Sequence, residues 1–427
     1  MKTVIRVFAL LSLAALTLLS MQSHQTMTPP LWLFLCVMLI AGVAQVLAWH
    51  YNGGGLSIRE LALWAIALRI PCWLGQPLYE DDFYRYLWDG REFATSGNPY
   101  GKPPTDFMAD DIPANFREIL THVNFPDIPT IYGPICQYTF AAAYWIRPGS
   151  VGALQFVYAI FDLGLALLLL RLGIGAGGLA LYLWSPLVLK EIAFTAHTDI
   201  LVAFFLVATL LAIRRGHYWL AGSLCALALG SKVTAALLIP LFLVEIRTLR
   251  SMMRFGLAMV PTLAAMYLPF YRAASETEGL QAFLESWEFN SFAFAVVKNV
   301  TSFATARTVC FASAGVAVLW LAYRAWRRNQ PPAYEQGLAW FYLFSPVVNP
   351  WYAVVWMPFV AMRPAPWSVL ACLLLLISYA TGNNLPGSGL EGFNHPWWVR
   401  PVELLPVASL AIWQWWITFR AESESRP

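Results

Sequence analysis

The chain is 427 residues long, 59% hydrophobic and only 12% charged, with a formal net charge of +3. A soluble chain of that length would divide into about two or three domains, but apolar stretches of membrane-spanning length recur from end to end and exclude that arrangement. The six cysteines (Cys36, Cys72, Cys136, Cys225, Cys310 and Cys372) show no paired spacing, which argues against a disulfide framework or a zinc site.

In chain order the apolar segments include Val4–Leu19, Leu31–Trp49, Ile58–Leu74, Val151–Leu170, Ile200–Ile213, Phe255–Phe270, Ala304–Tyr323 and Val402–Phe419. Lys2 and Arg6 place the amino terminus inside. No small-x-small cleavage site follows Leu19, so the first segment reads as a signal anchor rather than a cleaved signal peptide. Arg214/Arg215, Arg247/Arg250/Arg254, Arg324/Arg327/Arg328, Arg363 and Arg420 mark alternate loops as cytoplasmic. Residues 75–133, 272–303, 348–350 and 382–401 then fall outside. The predicted fold is an all-α, polytopic transmembrane helical bundle of about 13 or 14 spans, one domain over 1–427. Its count closes only if Gly178–Thr195, broken by Pro186, dips without crossing, and Arg171 is then left on the wrong side.

Residues 75–133 form the longest polar stretch. They begin with Tyr79-Glu80-Asp81-Asp82-Phe83-Tyr84-Arg85-Tyr86-Leu87-Trp88-Asp89-Gly90-Arg91. Asp82, Arg85, Tyr86 and Asp89 share one face at helical spacing, while Phe83, Leu87 and Phe93 offer an apolar side. The pattern predicts an amphipathic surface helix over Asp82–Thr95, ended by Gly97-Asn98-Pro99. A second short amphipathic helix is predicted within Asp106–His122.

So few charges make each one near the bilayer a candidate for function. Asp81 and Asp82 could simply satisfy the free N–H groups of a helix start. The sharper reading makes one of them a general base. Arg85 would orient that carboxylate through an i,i+4 contact with Asp81, or hold a phosphate in its planar fork. Asp89 and Arg91 read first as partners on the helix. Lys190 and Glu191, with His197, Thr198 and Asp199, sit where the broken segment meets the next span and read as a cavity lining. Lys232 interrupts Trp219–Val244, and a break near Gly230-Ser231 would bring it to the outer surface, facing a cavity or a phosphate. Trp351, Trp397 and Trp398 read most simply as an interfacial belt, with an aromatic shelf for a sugar as the rival use. Arg400 or His395 would then lie near a donor phosphate. No P-loop, dinucleotide fingerprint or nucleophile elbow is present, which points to a donor already anchored in lipid.

The pattern Asp81-Asp82-x-Tyr84-Arg85-Tyr86-x-x-Asp89-Gly90, followed by Asn98-Pro99-Tyr100, resembles the first outer loop of the GT-C glycosyltransferases. It is most similar to the bacterial polyprenol-phosphate-mannose-dependent mannosyltransferases. Pro129-Thr130-Ile131-Tyr132-Gly133-Pro134, Glu191 with His197-x-Asp199, Lys232, and Pro350-Trp351-Tyr352 extend the likeness to about residues 79–352. The family more often has two prolines after the tyrosine, so Gly133 reads as a loosening of that loop.

The resemblance implies an inverting sugar transfer, with mannose as the sugar, from a polyprenyl phosphate on the extracytoplasmic face of a bacterial inner membrane. Asp82 or Asp81 would be the base. Arg85, Lys190, Lys232 and Arg400 would hold the leaving phosphate. Tyr86, Asp89, Tyr100, Tyr132, Glu191, His197, Asp199, Trp351 and His395 would contact substrate. The acceptor would be a lipid or glycan; no cofactor, metal or nucleic-acid partner is expected. The alternatives are a transporter or flippase, and an outer-face ligase acting on lipid-linked oligosaccharides.

Overall fold

The computed structural model describes residues 1–270, 279, 281, 285–385 and 387–424, so the expectation for 272–303 falls partly outside the described residues. The described residues form helices throughout, as the sequence predicts. Five helices are long and apolar enough to cross a membrane: Lys2–Ser23 (α1), Leu31–His50 (α2), Val151–Arg171, Leu249–Phe270 and Phe303–Arg328. Shorter apolar helices, Tyr218–Ser231, Val233–Ile246, Pro350–Met362 and Pro366–Tyr379, complete the apolar set. Several predicted spans are therefore broken rather than continuous. The protein is an integral membrane protein.

The chain folds as a bundle with two chemically distinct ends. At one end Lys2 and Arg6 pair with Glu60, Arg214 with Glu245, and Arg363 with Glu335. The other end carries Asp82–Ser96 (α4) and Ala114–Thr121 (α5), reached through Ile58–Leu74 (α3). The second predicted amphipathic helix is shorter than expected. It starts only after Pro113, which supplies its N-cap, and Pro104–Phe107 forms a separate turn.

Pro134–Ile146 (α6) keeps to the α4 end. Its first residue follows Gly133, which lies against Gly230, and it leads to Gly149, which lies beside Asn115 and Phe116. Val151–Arg171 (α7) then runs to the arginine end, so Arg171 is on the expected side after all. Ala176–Leu183 (α8) starts there, where the Gly177 N–H donates to Asn52 Oδ1 (3.1 Å). The Gly178–Thr195 segment thus connects the two ends, and α6 is the segment that does not cross. The sequence alone suggested the reverse, because a proline break reads as a turning point. Here it is only an interruption.

That interruption is costly unless the freed backbone groups find partners. After α8 the chain turns at Trp184-Ser185, forms one short turn at Pro186–Val188 (α9), and passes into a π-helical turn over Leu189–Phe194. Four side chains meet the exposed backbone. Gln45 donates to Leu181 O (2.6 Å), Arg69 to Leu183 O (2.7 Å), and Gln155 to both Ala193 O (3.1 Å) and Phe194 O (2.9 Å). Ser185 Oγ accepts from Val188 N (3.4 Å). Arg69 is itself held by Asp162 of α7, Nε to Oδ2 at 2.6 Å and Nη2 to Oδ1 at 3.2 Å, and Tyr182 donates to Asp162 Oδ1 at 2.7 Å. Both charged side chains are essentially fully buried.

A buried pair of this kind contributes little net stability while intact, but removing one partner strands a charge. Arg69→Met is therefore expected to destabilise the protein by about 3–5 kcal/mol. Arg69→Met combined with Asp162→Leu should cost less than the sum of the two single changes. Thermal unfolding in detergent of both single variants and the double variant measures this; simple additivity would refute the coupling.

Candidate active site

The helix α4 starts where the sequence places it, with Asp81 at its N-cap and Asp82 at its first position. It ends at Gly97 in the left-handed conformation, whose N–H donates to Phe93 O (3.0 Å). Its glycine at position 90 lets it lie directly on α6, since a Cβ there would come 2.6 Å from Phe140 O. The close approach stacks Tyr86 on Phe140, with ring centroids 4.8 Å apart and planes 9° from parallel. Tyr86 OH then reaches His197 Nδ1 at 3.2 Å. The edge of Tyr132 packs against the Tyr86 ring (5.1 Å), and Tyr100 OH donates to Tyr132 O (2.9 Å), so Tyr100 acts as a strut under that loop.

The π-helical turn brings a second set of residues to the same place. Lys190 Nζ donates to Glu191 Oε2 (3.1 Å) and to Tyr379 OH, and Tyr379 OH donates to Glu191 Oε1 (2.8 Å). Glu191 Oε2 lies 3.5 Å from His197 Nε2, and the His197 ring stacks on Trp351 at 4.4 Å and 6°. A third set comes from Asp199–Arg214 (α10) and Tyr218–Ser231 (α11). The helix α11 stops at Ser231, as the sequence suggested, and Lys232 is extended. Its Nζ donates to Asp199 Oδ1 (2.9 Å) and sits 3.5 Å from the centre of the Tyr352 ring.

Gly133 is what allows α6 to meet this corner. A Cβ at that position would come 2.3 Å from Gly230 O, one residue before Ser231. The glycine therefore serves close packing, not looseness.

Asp82 is half-buried and faces Lys232, Asp199 and Lys190 across the site. Burial pushes its carboxyl up to about 7; the neighbouring Asp81 and Asp199 add to the rise, and Lys232 and Lys190 oppose it. Asp81 is also raised by burial, against the pull of the Asn124 amide that donates to it and of His122. Burial holds Glu80 well above the ordinary carboxylate range, with Lys190 opposing. Glu80, Asp81 and Asp82 each bring a carboxylate oxygen within 4.8 Å of the others, a grouping that could hold a metal ion.

Of the residues singled out from sequence, the structure gathers Asp81, Asp82, Tyr86, Tyr132, Lys190, Glu191, His197, Asp199, Lys232 and Trp351. Arg85 is committed elsewhere. Its Nε donates to Asp89 Oδ1 (2.9 Å), and its two terminal nitrogens to Ile128 O (both 3.1 Å). The expected pairing with Asp81 does not form, because the carboxylate one turn later in the helix captures the guanidinium. Asp89 in turn accepts from Thr130 Oγ1 (2.5 Å) and Gln137 Nε2 (3.1 Å), which fits its reading as a helix partner rather than a substrate contact. Arg400 and His395 stand apart: Arg400 lies 3.9 Å from Glu288, and His395 Nε2 meets Ser378 O at 2.9 Å. Trp397 is 86% exposed, as a belt residue would be, whereas Trp351 stacks on His197 within the cluster.

Sequence reasoning missed Tyr379, which holds Lys190 and Glu191 together, and Asn124, which anchors Asp81. No local pattern marks either one. A signal did exist for Arg69 and Asp162, since both are ionisable residues inside apolar stretches.

Residues 7–247, a little over half of the chain, match a family described as alpha-(1->6)-mannopyranosyltransferase, N-terminal domain. No curated protein and no solved structure matches.

The close approach at Gly133 gives a direct test of this geometry. Gly133→Ala is expected to lower turnover at least about tenfold by pushing Gly230 and Lys232 away from Asp82. Gly97→Ala, at a position with open space around it, should cost stability through its backbone conformation while leaving the chemistry of the folded enzyme intact. Turnover per folded molecule separates the two; equal values for Gly133→Ala and wild type would refute the role given to this glycine.

Proposed function

The chain belongs to the alpha-(1->6)-mannopyranosyltransferase family and is a mannosyltransferase; from that premise we propose that it moves mannose from a polyprenyl phosphate to a lipid or glycan acceptor, with inversion at the anomeric carbon. Asp82 is the base in this reading. It takes the proton of the acceptor hydroxyl as that oxygen attacks the anomeric carbon. The bond from that carbon to the phosphate oxygen breaks on the opposite side, and the polyprenyl phosphate leaves as an anion. An α-linked product then requires a β-linked donor. The transporter reading is not retained, because the family is one of enzymes.

The observation that carries this proposal is the position of Asp82: half-buried, with a carboxyl near neutrality, opposite a lysine. A base tuned close to ambient pH is what proton removal in a transition state requires. Lys232 is the cation best placed for the leaving phosphate, since its side chain is 28% exposed whereas that of Lys190 is completely enclosed. Lys190 organises Glu191 and Tyr379 instead. Arginines collect at the opposite end of the bundle, and by the positive-inside tendency that end is cytoplasmic. This supports an active site facing outwards, across a bacterial inner membrane.

Charge balance decides how a phosphate can enter. Five carboxyl groups (Glu80, Asp81, Asp82, Glu191, Asp199) share the site with two lysines, Lys190 and Lys232. A phosphate is accommodated only if protons or a cation offset some of that negative charge. Burial raises the Glu80 carboxyl and so favours a proton there.

In purified protein reconstituted in lipid, with polyprenyl-phosphate-mannose and a glycolipid acceptor, Asp82→Asn is expected to lower kcat by about 10²–10⁴. Asp81→Asn should cost much less. Equal, normal transfer by both variants would end the assignment of the base. Because the base acts deprotonated, kcat should rise tenfold per pH unit below about 7 and level off above it. Transfer is expected to survive EDTA. A loss that Mg²⁺ or Mn²⁺ restores would instead assign the Glu80–Asp82 carboxylates to a cation.

A further inference from the structure

Three helix ends meet at the arginine end of the bundle. Val233–Ile246 (α12) stops just before Arg247, Leu249–Phe270 (α13) starts directly after that turn, and Phe303–Arg328 (α14) ends beside them. One side of this corner carries Arg247, Arg250 and Arg254, and the other Arg324, Arg327 and Arg328. Arg247 adopts a φ of 64°, uncommon for a residue with a Cβ, and its Nη1 donates to Asn329 Oδ1, next to Arg328. That bond ties the two arginine triplets to one place.

Their charge is left unbalanced. Arg247–Phe270 and Phe303–Tyr334 contain no acidic residue. Glu245 is already taken by Arg214 (2.6 Å) and by the Tyr334 hydroxyl (2.5 Å). The ion pairs formed among the described residues include none of the six arginines. Like charges gathered in this way repel one another, and the Asn329 amide that joins them is neutral. The preference of arginine for the cytoplasmic side explains why such residues lie at this end. It does not explain two triplets held together without a counter-ion.

The surroundings show where an anion can come from. The helix α13 exposes Leu249, Met253, Leu257 and Val260 along one stripe. The helix α14 exposes Trp320, Tyr323 and Trp326, whose rings follow one another at 5.9 and 6.3 Å. Those two helices make almost no direct contact, whereas α12 packs against both and floors a seam between them. Along that floor Val233 and Ala236 are exposed, and Leu243 and Val244 are half-buried. An apolar seam that ends at clustered arginines, beside aromatic residues of the kind that mark a bilayer interface, matches a phospholipid with its tails in the seam and its headgroup at the corner. Guanidinium forks fit phosphate oxygens two at a time, and two triplets fit two phosphates.

We propose that this corner binds a phospholipid of the surrounding leaflet that carries two phosphates, of the diphosphatidylglycerol type, with one phosphate at each arginine triplet. The lipid offsets the repulsion between the start of α13 and the end of α14 and ties the two helices together. The inference stands without the mannosyl-transfer reading.

Native mass spectrometry of the full-length protein, delipidated in detergent, tests it. Diphosphatidylglycerol should bind wild type at least about tenfold more tightly than zwitterionic phosphatidylethanolamine, with phosphatidylglycerol, which has one phosphate, in between. Arg250→Gln combined with Arg327→Gln takes one exposed guanidinium from each triplet and should weaken diphosphatidylglycerol at least about tenfold. Arg59→Gln combined with Arg171→Gln makes the same charge change at exposed arginines outside the corner and should leave that affinity as it is. Phosphatidylethanolamine should bind all three proteins alike, which shows that the fold survives. Equal affinity of wild type for the three lipids, no weakening by the first pair of changes, or equal weakening by both pairs would each overturn the site. So would displacement of the lipid by inorganic phosphate, which would assign the corner to a free anion.

Discussion

Everything at the active site depends on a helix that is not allowed to continue. The segment from Ala176 to Thr195 crosses most of the bundle with its hydrogen-bond ladder interrupted, in surroundings that offer little water to replace the missing partners. The Arg69–Asp162 pair makes this tolerable: it caps Leu183 O from one side and fixes Tyr182 from the other. Gln45 and Gln155 complete the task. Without such partners the segment would regain helical bonding, and Lys190, Glu191 and His197 would point along different directions. The charges buried deepest are thus what permit the irregular backbone on which the site is built.

The site itself is a compromise between two electrostatic demands. Carboxyl groups must be crowded enough for burial and mutual repulsion to raise Asp82 towards neutrality. Under the proposed reading, the same crowding repels an anionic donor. Lys232 meets both needs, because its pairing with Asp199 places a positive charge opposite Asp82 while the side chain stays partly open. Lys190 is fully enclosed and so contributes charge and geometry rather than a surface for ligand.

How much of this could be read from sequence depends on how local each interaction is. The α4 helix, its start at Asp81-Asp82 and its stop at Gly97 are decided by neighbouring residues, and they appear where the pattern places them. The break at Pro186 and the end of α11 before Lys232 were legible for the same reason. Partner choice was not. Arg85 has a carboxylate at both i−4 and i+4, Asp81 and Asp89, and only the tertiary structure, through Asn124, Thr130 and Ile128, decides between them. Tyr379 stands far along the chain from the residues it holds, in a 3₁₀ turn with no distinguishing motif. Which segment fails to cross was misread because a proline marks an interruption without saying whether the chain then reverses.

The backbone contacts at Gly90 and Gly133 carry a consequence for how such an enzyme handles a long lipid. With α4 seated on Phe140 O and the α6 entrance seated on Gly230 O, the segment between them is clamped at both ends and is poorly suited to act as a hinged cover. Under the reading proposed above, a polyprenyl chain must then reach Asp82 by sliding between helices from the surrounding bilayer, and the spent carrier must leave the same way. Refilling the site then depends on the sideways traffic of a greasy tail. Bilayer fluidity, rather than any opening and shutting of the protein, would govern how often the site is refilled.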